Sequence, residues 1–411
     1  ISVFTENGRE LSDEIYGAVE TSMKAIEEFL DGDLPVDNYA FIFYIKDYTE
    51  FEGLFNGSEF SLGLILKAVR ELSGKGFGAL EHGNSSVYYL PDFGGNSVLE
   101  DMADVCIHEF FHILTPLGLH SEEIGDFDYI NPEMSEHLWL YEGITEYFAG
   151  ISQVKGGVIS KNEYVRSLLR EKLVTSAKFP NHKMSFTEMS ENVLEKPYKK
   201  QYLQVYQRGA VLGALLDIRI MELTEGKVNL RDVILALRDR YGAQKSFKDE
   251  EIIAEFVGLV HPDLQDFFDR YITGNEDLPL KEYLSKVGID YDRSYVGPVA
   301  AHPLRDNDVK TRRLRGSNYM LVKKVGKKEQ LGLQSEDRFA LVDAMLETPY
   351  GPIEEGTVIP LQVIRNEKEL EIPYTVRYKE GAKGHFIRFQ RKTTPQAQKL
   401  QNLWLGDGII E

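Results

Sequence analysis

The sequence has a single cysteine, Cys106, in 411 residues. An internal disulfide framework is therefore excluded, and the redox compartment is left open. No apolar run approaches the roughly 18 residues that a membrane-crossing helix needs, so no transmembrane segment is expected. Basic residues are in deficit, with 47 Lys and Arg against 66 Asp and Glu and a formal net charge of −19. No basic stripe interrupts that acidity, so nucleic acid is not the expected partner. The chain opens at Ile1 without a methionine or a charged-then-apolar leader. That predicts a removed leader or a longer parent chain, with a periplasmic or secreted location preferred to a cytoplasmic one. Internal repeats and low-complexity tracts are also missing. What is present is ordinary globular material, 42% hydrophobic and 27% charged, in a length comfortable for two or three domains.

Apolar residues at Leu11, Ile15, Ala18, Val19, Met23, Ile26 and Leu30 predict a helix stopped by Asp31-Gly32-Asp33. Ala40 to Ile45 and Ser86 to Leu90 read as strands. Helical patterns then dominate: Val98–Leu114, Leu138–Gln153, Lys161–Leu173, Tyr206–Leu223, Leu230–Tyr241 and Asp249–Phe256. Strands first and helices after predict an α+β domain over residues 1–298, an antiparallel sheet beside a helical lobe. Ser294 to Asp308 reads as a linker. Strand-like runs at Tyr319–Val325, Arg338–Val342, Val358–Arg365 and Leu370–Val376 predict a small β-rich domain over 299–411, ending in a tail.

Chemistry concentrates in Val105-Cys106-Ile107-His108-Glu109-Phe110-Phe111-His112. A spacing of four puts both imidazoles on one helical face, one turn apart, where they can converge on a single ion. Glu109 is close enough to act as base for a water activated there. Two core histidines beside a surface glutamate would be the bland alternative. This helix is apolar on every side, however, and burying such a cluster without a compensating ion would be costly. A catalytic zinc wants three protein ligands and one open position. Glu142, in Trp139-Leu140-Tyr141-Glu142-Gly143, is the candidate third ligand to Zn2+ beside His108 and His112. Glu146, one turn on, is either a partner that orients a zinc histidine or a solvated charge. Cys106 reads as buried filler, and His82, His120 and His137 as structural.

His108-Glu-x-x-His112 followed by Trp139-x-x-Glu142-Gly resembles the gluzincin metallopeptidases, which include thermolysin and aminopeptidase N. Within that clan the sequence most resembles the glycyl aminopeptidase family, whose members carry a PDZ domain. Gly78-Ala79-Leu80-Glu81-His82 is similar to that family's segment upstream of the zinc helix. Asp126-Phe127-Asp128-Tyr129 is similar to its connector, and Tyr206-Gln207-Arg208-Gly209 to the segment bearing a catalytic tyrosine. The motifs run in order from residue 78 to about 220. The resemblance implies a thermolysin-like fold, with Tyr206 donating to the oxyanion of amide hydrolysis and Glu81 holding a substrate α-ammonium.

Leu331-Gly332-Leu333-x-x-Glu336-Asp337-Arg338 resembles the Gly-Leu-x-x-Gly-Asp segment of PDZ domains, with Glu336 where a glycine is usual. Gly316-Ser317-Asn318-Tyr319 is the best remnant of a carboxylate-binding loop. The expected function is a zinc-dependent aminopeptidase acting on peptides, favouring Gly or Ala by resemblance alone. The alternatives are an endopeptidase with the same site, or a peptide-binding scaffold whose catalytic domain is retired.

Overall fold

Ser2–Thr5 (β1) and Ala40–Asp47 (β2) lie side by side, joined through the helix Ser12–Phe29 (α1). In this computed structural model the described residues are 1–48, 77–92, 102–128, 130–179, 184–295, 298–300, 309–313, 319–327, 331–340, 347–348, 351–366, 368–376, 378–380 and 384–407. Ile15, Val19, Ser22, Ile26 and Phe29 form the buried stripe of α1. The helix ends where Asp31 and Gly32 take positive φ, the left-handed turn read from Asp31-Gly32-Asp33.

The sheet adds Gly78–His82 (β3) and Ser85–Asp92 (β4), in the order β1-β2-β4-β3. It is not the antiparallel sheet the sequence predicts. The β1–β2 and β2–β4 pairs are parallel, and only β3–β4 is antiparallel. The cause is connectivity: a helical crossover such as α1 returns the chain to the end it left, which enforces parallel pairing. β2 alternates in burial, sending Phe41, Phe43 and Ile45 inward, and Phe43 stacks on the fully buried Tyr88 of β4 at 4.5 Å.

Helix α2 (Met102–Phe111) lies against β3, β4 and α1. Residues 98–101 of its expected span fall outside the described residues. Two other expected helices are interrupted by π-helical turns, Trp139–Ile144 before α3 (Thr145–Lys155) and Tyr164–Leu169 before α4 (Arg170–Ser176). The long helix α5 (Tyr202–Leu223) starts one turn earlier than expected and touches the first π-turn, α3 and α4.

After α5 the chain forms helices Leu230–Tyr241 and Ile252–Leu259, then strand β5 (Ile289–Tyr295). The linker expected over Ser294–Asp308 is in part strand, since β5 runs to Tyr295 and Pro298–Ala300 pairs with Tyr378–Glu380. Beyond it, Val309–Arg313 (β6), Tyr319–Val325 (β7), Arg338–Ala340 (β8), Val358–Arg365 (β9) and Lys368–Thr375 (β10) form an antiparallel sheet, ordered β10-β9-β8-β7-β6. It carries its own core of Val322, Leu333, Phe339, Leu361, Val363, Tyr374 and Val376. Gly316 to Asn318 lie outside the described residues.

The segment expected to be the tail of that β-rich unit goes elsewhere. Gly384–Phe389 (β11) pairs with β5, and helix α6 (Pro395–Leu405) joins the first core through Leu400, Trp404 and Leu405. Trp404 is fully buried; its Nε1 donates to the Tyr147 hydroxyl at 2.9 Å, and that hydroxyl donates to Asp217 of α5. The boundary expected at 298–299 therefore does not hold for residues 384–405, which complete the first core.

Candidate active site

Helix α2 presents His108 and Glu109, and His112 follows directly at its C-terminal turn, all three buried. Each imidazole is fixed from behind through Nδ1. His108 Nδ1 lies 2.8 Å from Glu146 Oε2, and His112 Nδ1 donates to the Thr115 carbonyl at 3.0 Å. Both Nε2 atoms then face forward, 3.2 Å and 3.6 Å from Glu142 Oε2. Lys172 of α4 closes the chain behind them by pairing with the other oxygen of Glu146.

Glu142 sits on the π-turn rather than in a regular helix. Single-turn π-bulges re-aim side chains by inserting a residue into the helical ladder, and they recur at functional sites. Glycines set how close α5 comes. A Cβ on Gly143 would lie 2.8 Å from the Cα of Gly209, and one on Gly209 would lie 2.7 Å from the Cα of Gly143. The backbones are therefore in direct contact, which brings Tyr206 to Glu142. The Tyr206 ring lies alongside His108 at 5.6 Å, and its hydroxyl is directed at the Glu142 carboxylate. Glu81, half-buried on β3 opposite Ser86, acts electrostatically on Glu109 and His112 from the sheet side. Five of the six residues singled out by sequence thus gather together, and Glu81 acts on them from β3.

The charges are strongly coupled. Burial disfavours ionised Glu142, but His112 and His108 outweigh it and hold its carboxyl below the usual range. Burial likewise works against protonated His108, yet the hydrogen bonds it donates to Glu142 and Glu146 raise it to about 10. Burial pushes Glu109 up to about 8, only partly opposed by His108. Glu109 Oε2 is buried without a hydrogen-bond partner among the described residues.

This donor set fits a zinc ion. Nitrogen and oxygen ligands at about 2.0–2.1 Å from a tetrahedral centre stand about 3.3 Å apart, close to the 3.2 Å and 3.6 Å separations between the imidazole nitrogens and Glu142 Oε2. Ligand atoms of His108, Glu109 and His112 also lie within 4.8 Å of one another. Of the two carboxylates, Glu142 is the one touching both imidazoles, which leaves Glu109 for another task.

The remaining candidates separate cleanly. Glu146 is the partner of His108 rather than a solvated charge. Cys106 is buried filler. His137 takes a hydrogen bond from Trp139 Nε1 at 3.1 Å, His120 bonds the Pro116 carbonyl, and His82 is exposed. In the Asp126–Tyr129 connector, Asp128 accepts from its own loop at Ile130 N, and Tyr129 lies outside the described residues. Sequence reasoning missed Lys172, which comes from a separate helix with no local signal.

The mixed helix and sheet content makes this an α+β chain with an aminopeptidase-like fold. Its whole length finds a counterpart in a crystal structure described as an aminopeptidase N family protein from Idiomarina loihiensis, at a TM-score of 0.59 and 19% identity, covering 98% of this chain and 68% of that one. No match is found among curated proteins. Residues 101–212, which span α2, the π-turn and the start of α5, match the M61 glycyl aminopeptidase family. Over that stretch the chain is similar to that family of peptidases.

Proposed function

We propose that the protein is a zinc-dependent aminopeptidase, with zinc held by His108, His112 and Glu142. One observation carries the reading: two imidazoles pinned through Nδ1 converge with Glu142, while the adjacent Glu109 keeps a buried oxygen unpartnered. A buried polar atom without a partner costs stability, and such atoms concentrate where a substrate or water is to be met. When bound, zinc polarises a carbonyl and lowers the pKa of water. Glu109 accepts the proton of the attacking water at its free oxygen and returns it to the leaving amine. Tyr206 donates a hydrogen bond to the oxygen that gains charge. Glu146 and Thr115 keep the imidazoles aimed.

Glu81 is proposed to hold the substrate α-ammonium, since it faces the same point from an exposed sheet edge and a charge-assisted bond is about twice as strong as a neutral one. A preference for small Gly or Ala residues is carried by the family resemblance alone. The antiparallel sheet over 309–375 is proposed to be a PDZ-like unit, on the strength of its Leu331–Asp337 segment.

The test pairs metal content with hydrolysis of free and N-acetylated peptides, in wild type and Glu81→Gln. We expect about one zinc per chain, preferential cleavage of free peptides, and a narrowed preference in the variant. Equal cleavage of acetylated peptides by wild type would replace the aminopeptidase reading with an endopeptidase. Zinc binding without any hydrolysis would leave a retired scaffold.

A further inference from the structure

Tyr202 opens helix α5 one turn before Tyr206, and the two phenols meet. Their hydroxyl oxygens are 2.9 Å apart, and the rings stand edge to face with centroids 5.5 Å apart. Tyr206 is half-buried against His108, with its hydroxyl turned inward to Glu142. Tyr202 lies outside it, 38% exposed, yet within the field of Glu142, Glu81 and Glu109.

Proton bookkeeping fixes the direction of the bond between them. An ionised carboxylate accepts only, and each phenol owns a single proton. If Tyr206 gives its proton inward, to Glu142 or to a substrate oxygen, it has none left for Tyr202. Tyr202 must then be the donor, and the Tyr206 oxygen the acceptor.

We propose that Tyr202 is a positioning residue for peptide hydrolysis: its hydroxyl donates to Tyr206 Oη and thereby holds the Tyr206 proton pointing into the cleft. The inference rests on the peptidase reading of the site. Two physical effects follow from the contact. A hydroxyl whose oxygen already accepts a bond is polarised into a stronger donor. A donor aimed before the substrate arrives also has no reorientation cost when negative charge develops on the reacting oxygen. Both effects act on the transition state and leave ground-state binding alone.

The test uses the zinc-loaded full chain. Tyr202→Phe keeps the ring and removes only the hydroxyl, so kcat is expected to fall roughly two- to tenfold with KM unchanged. In the Tyr206→Phe background the same change is expected to do nothing, because there is no phenol left to position. Losses that multiply in the double variant would overturn the proposal, as would a raised KM at constant kcat. A second readout needs no substrate. In protein carrying 13C-labelled tyrosine, the Tyr206 Cζ resonance is expected to move on Tyr202→Phe. An unmoved resonance overturns the proposal whatever the enzyme does to peptides. A moved resonance in a chain that cleaves no peptide instead sinks the peptidase reading, and with it the reaction the contact serves.

Discussion

Two buried acids, one from each core of this molecule, are treated in opposite ways. In the smaller core Asp337 is fully buried and saturated: Oδ1 accepts from Arg365 Nε at 2.7 Å, while Oδ2 accepts from Arg365 and from the Gln334 amide. In the larger core Glu109 is almost as deeply buried, yet one of its oxygens has no partner among the described residues. A saturated buried charge fixes a loop to a sheet. An unsaturated one, surrounded by imidazoles and a second carboxylate, costs stability and is retained for what it does to a ligand. Neither burial nor an unmet bond marks a site alone, since Ser121, Asn162 and Arg219 also carry buried atoms unpartnered among the described residues; what singles out Glu109 is an unmet bond beside converging imidazoles.

That contrast predicts opposite responses to loss of charge. Glu109→Gln is expected to leave folding nearly unchanged and zinc bound, while turnover falls by about 10²–10⁴, the range of a general acid–base contribution. Arg365→Met, by contrast, strands Asp337 without its counter-charge, at a cost of about 3–5 kcal/mol to the smaller core. Hydrolysis of short peptides should survive in folded Arg365→Met protein, because Arg365 lies on β9 of the other sheet and pairs with Asp337. Unfolding curves and steady-state rates on both variants check the pair. A turnover loss in Arg365→Met matching that in Glu109→Gln would erase the distinction.

The next effect is smaller and lies behind the proposed zinc site. Lys172 holds Glu146, which holds His108 Nδ1. Partners that orient a metal-bound histidine are worth about 10–100-fold in metal affinity. Lys172→Met removes the charge and keeps much of the side-chain volume, so competition with a chelator should show zinc bound at least several-fold more weakly. Unchanged affinity would reduce the Lys172–Glu146 pair to architecture, like Asp337–Arg365.

What sequence made legible follows from the range of the interactions. His108 and Glu109 lie on one helix with His112 directly after it, and Glu142 stands in its own local motif, so spacing was enough to single them out together as candidates. The π-turn at Trp139–Ile144 was not legible, because inserting one residue barely alters an apolar pattern already buried on every side. The parallel β1–β2 pairing needed the crossover of α1 to be read as a connection rather than as a separate helix. Residues 384–405 were assigned to the wrong unit because the β5–β11 pairing spans nearly a hundred residues of chain, and no local pattern carries such a partnership. Lys172 was hidden for the same reason.

The smallest effect concerns Glu336, and it sharpens the comparison by asking whether the two cores melt separately. Glu336 has φ of 71°, in the left-handed region where a Cβ crowds the backbone and glycine is favoured. Its backbone amide donates to the Val322 carbonyl at 2.8 Å, a bond that glycine keeps. The carboxylate lies 3.8 Å from Lys323 on an exposed face, a contact that contributes little. Relief of the left-handed strain gains about 1–2 kcal/mol, and the greater freedom of glycine in the unfolded chain takes back part of that. Glu336→Gly is therefore expected to stabilise the smaller core by about 1 kcal/mol. If the cores unfold independently, one calorimetric transition should rise while the other, reported by zinc release, stays in place. A single transition that shifts as a whole would mean that the chain unfolds as one cooperative unit. A lowered transition would mean that the Glu336 side chain, and not its backbone, holds the turn.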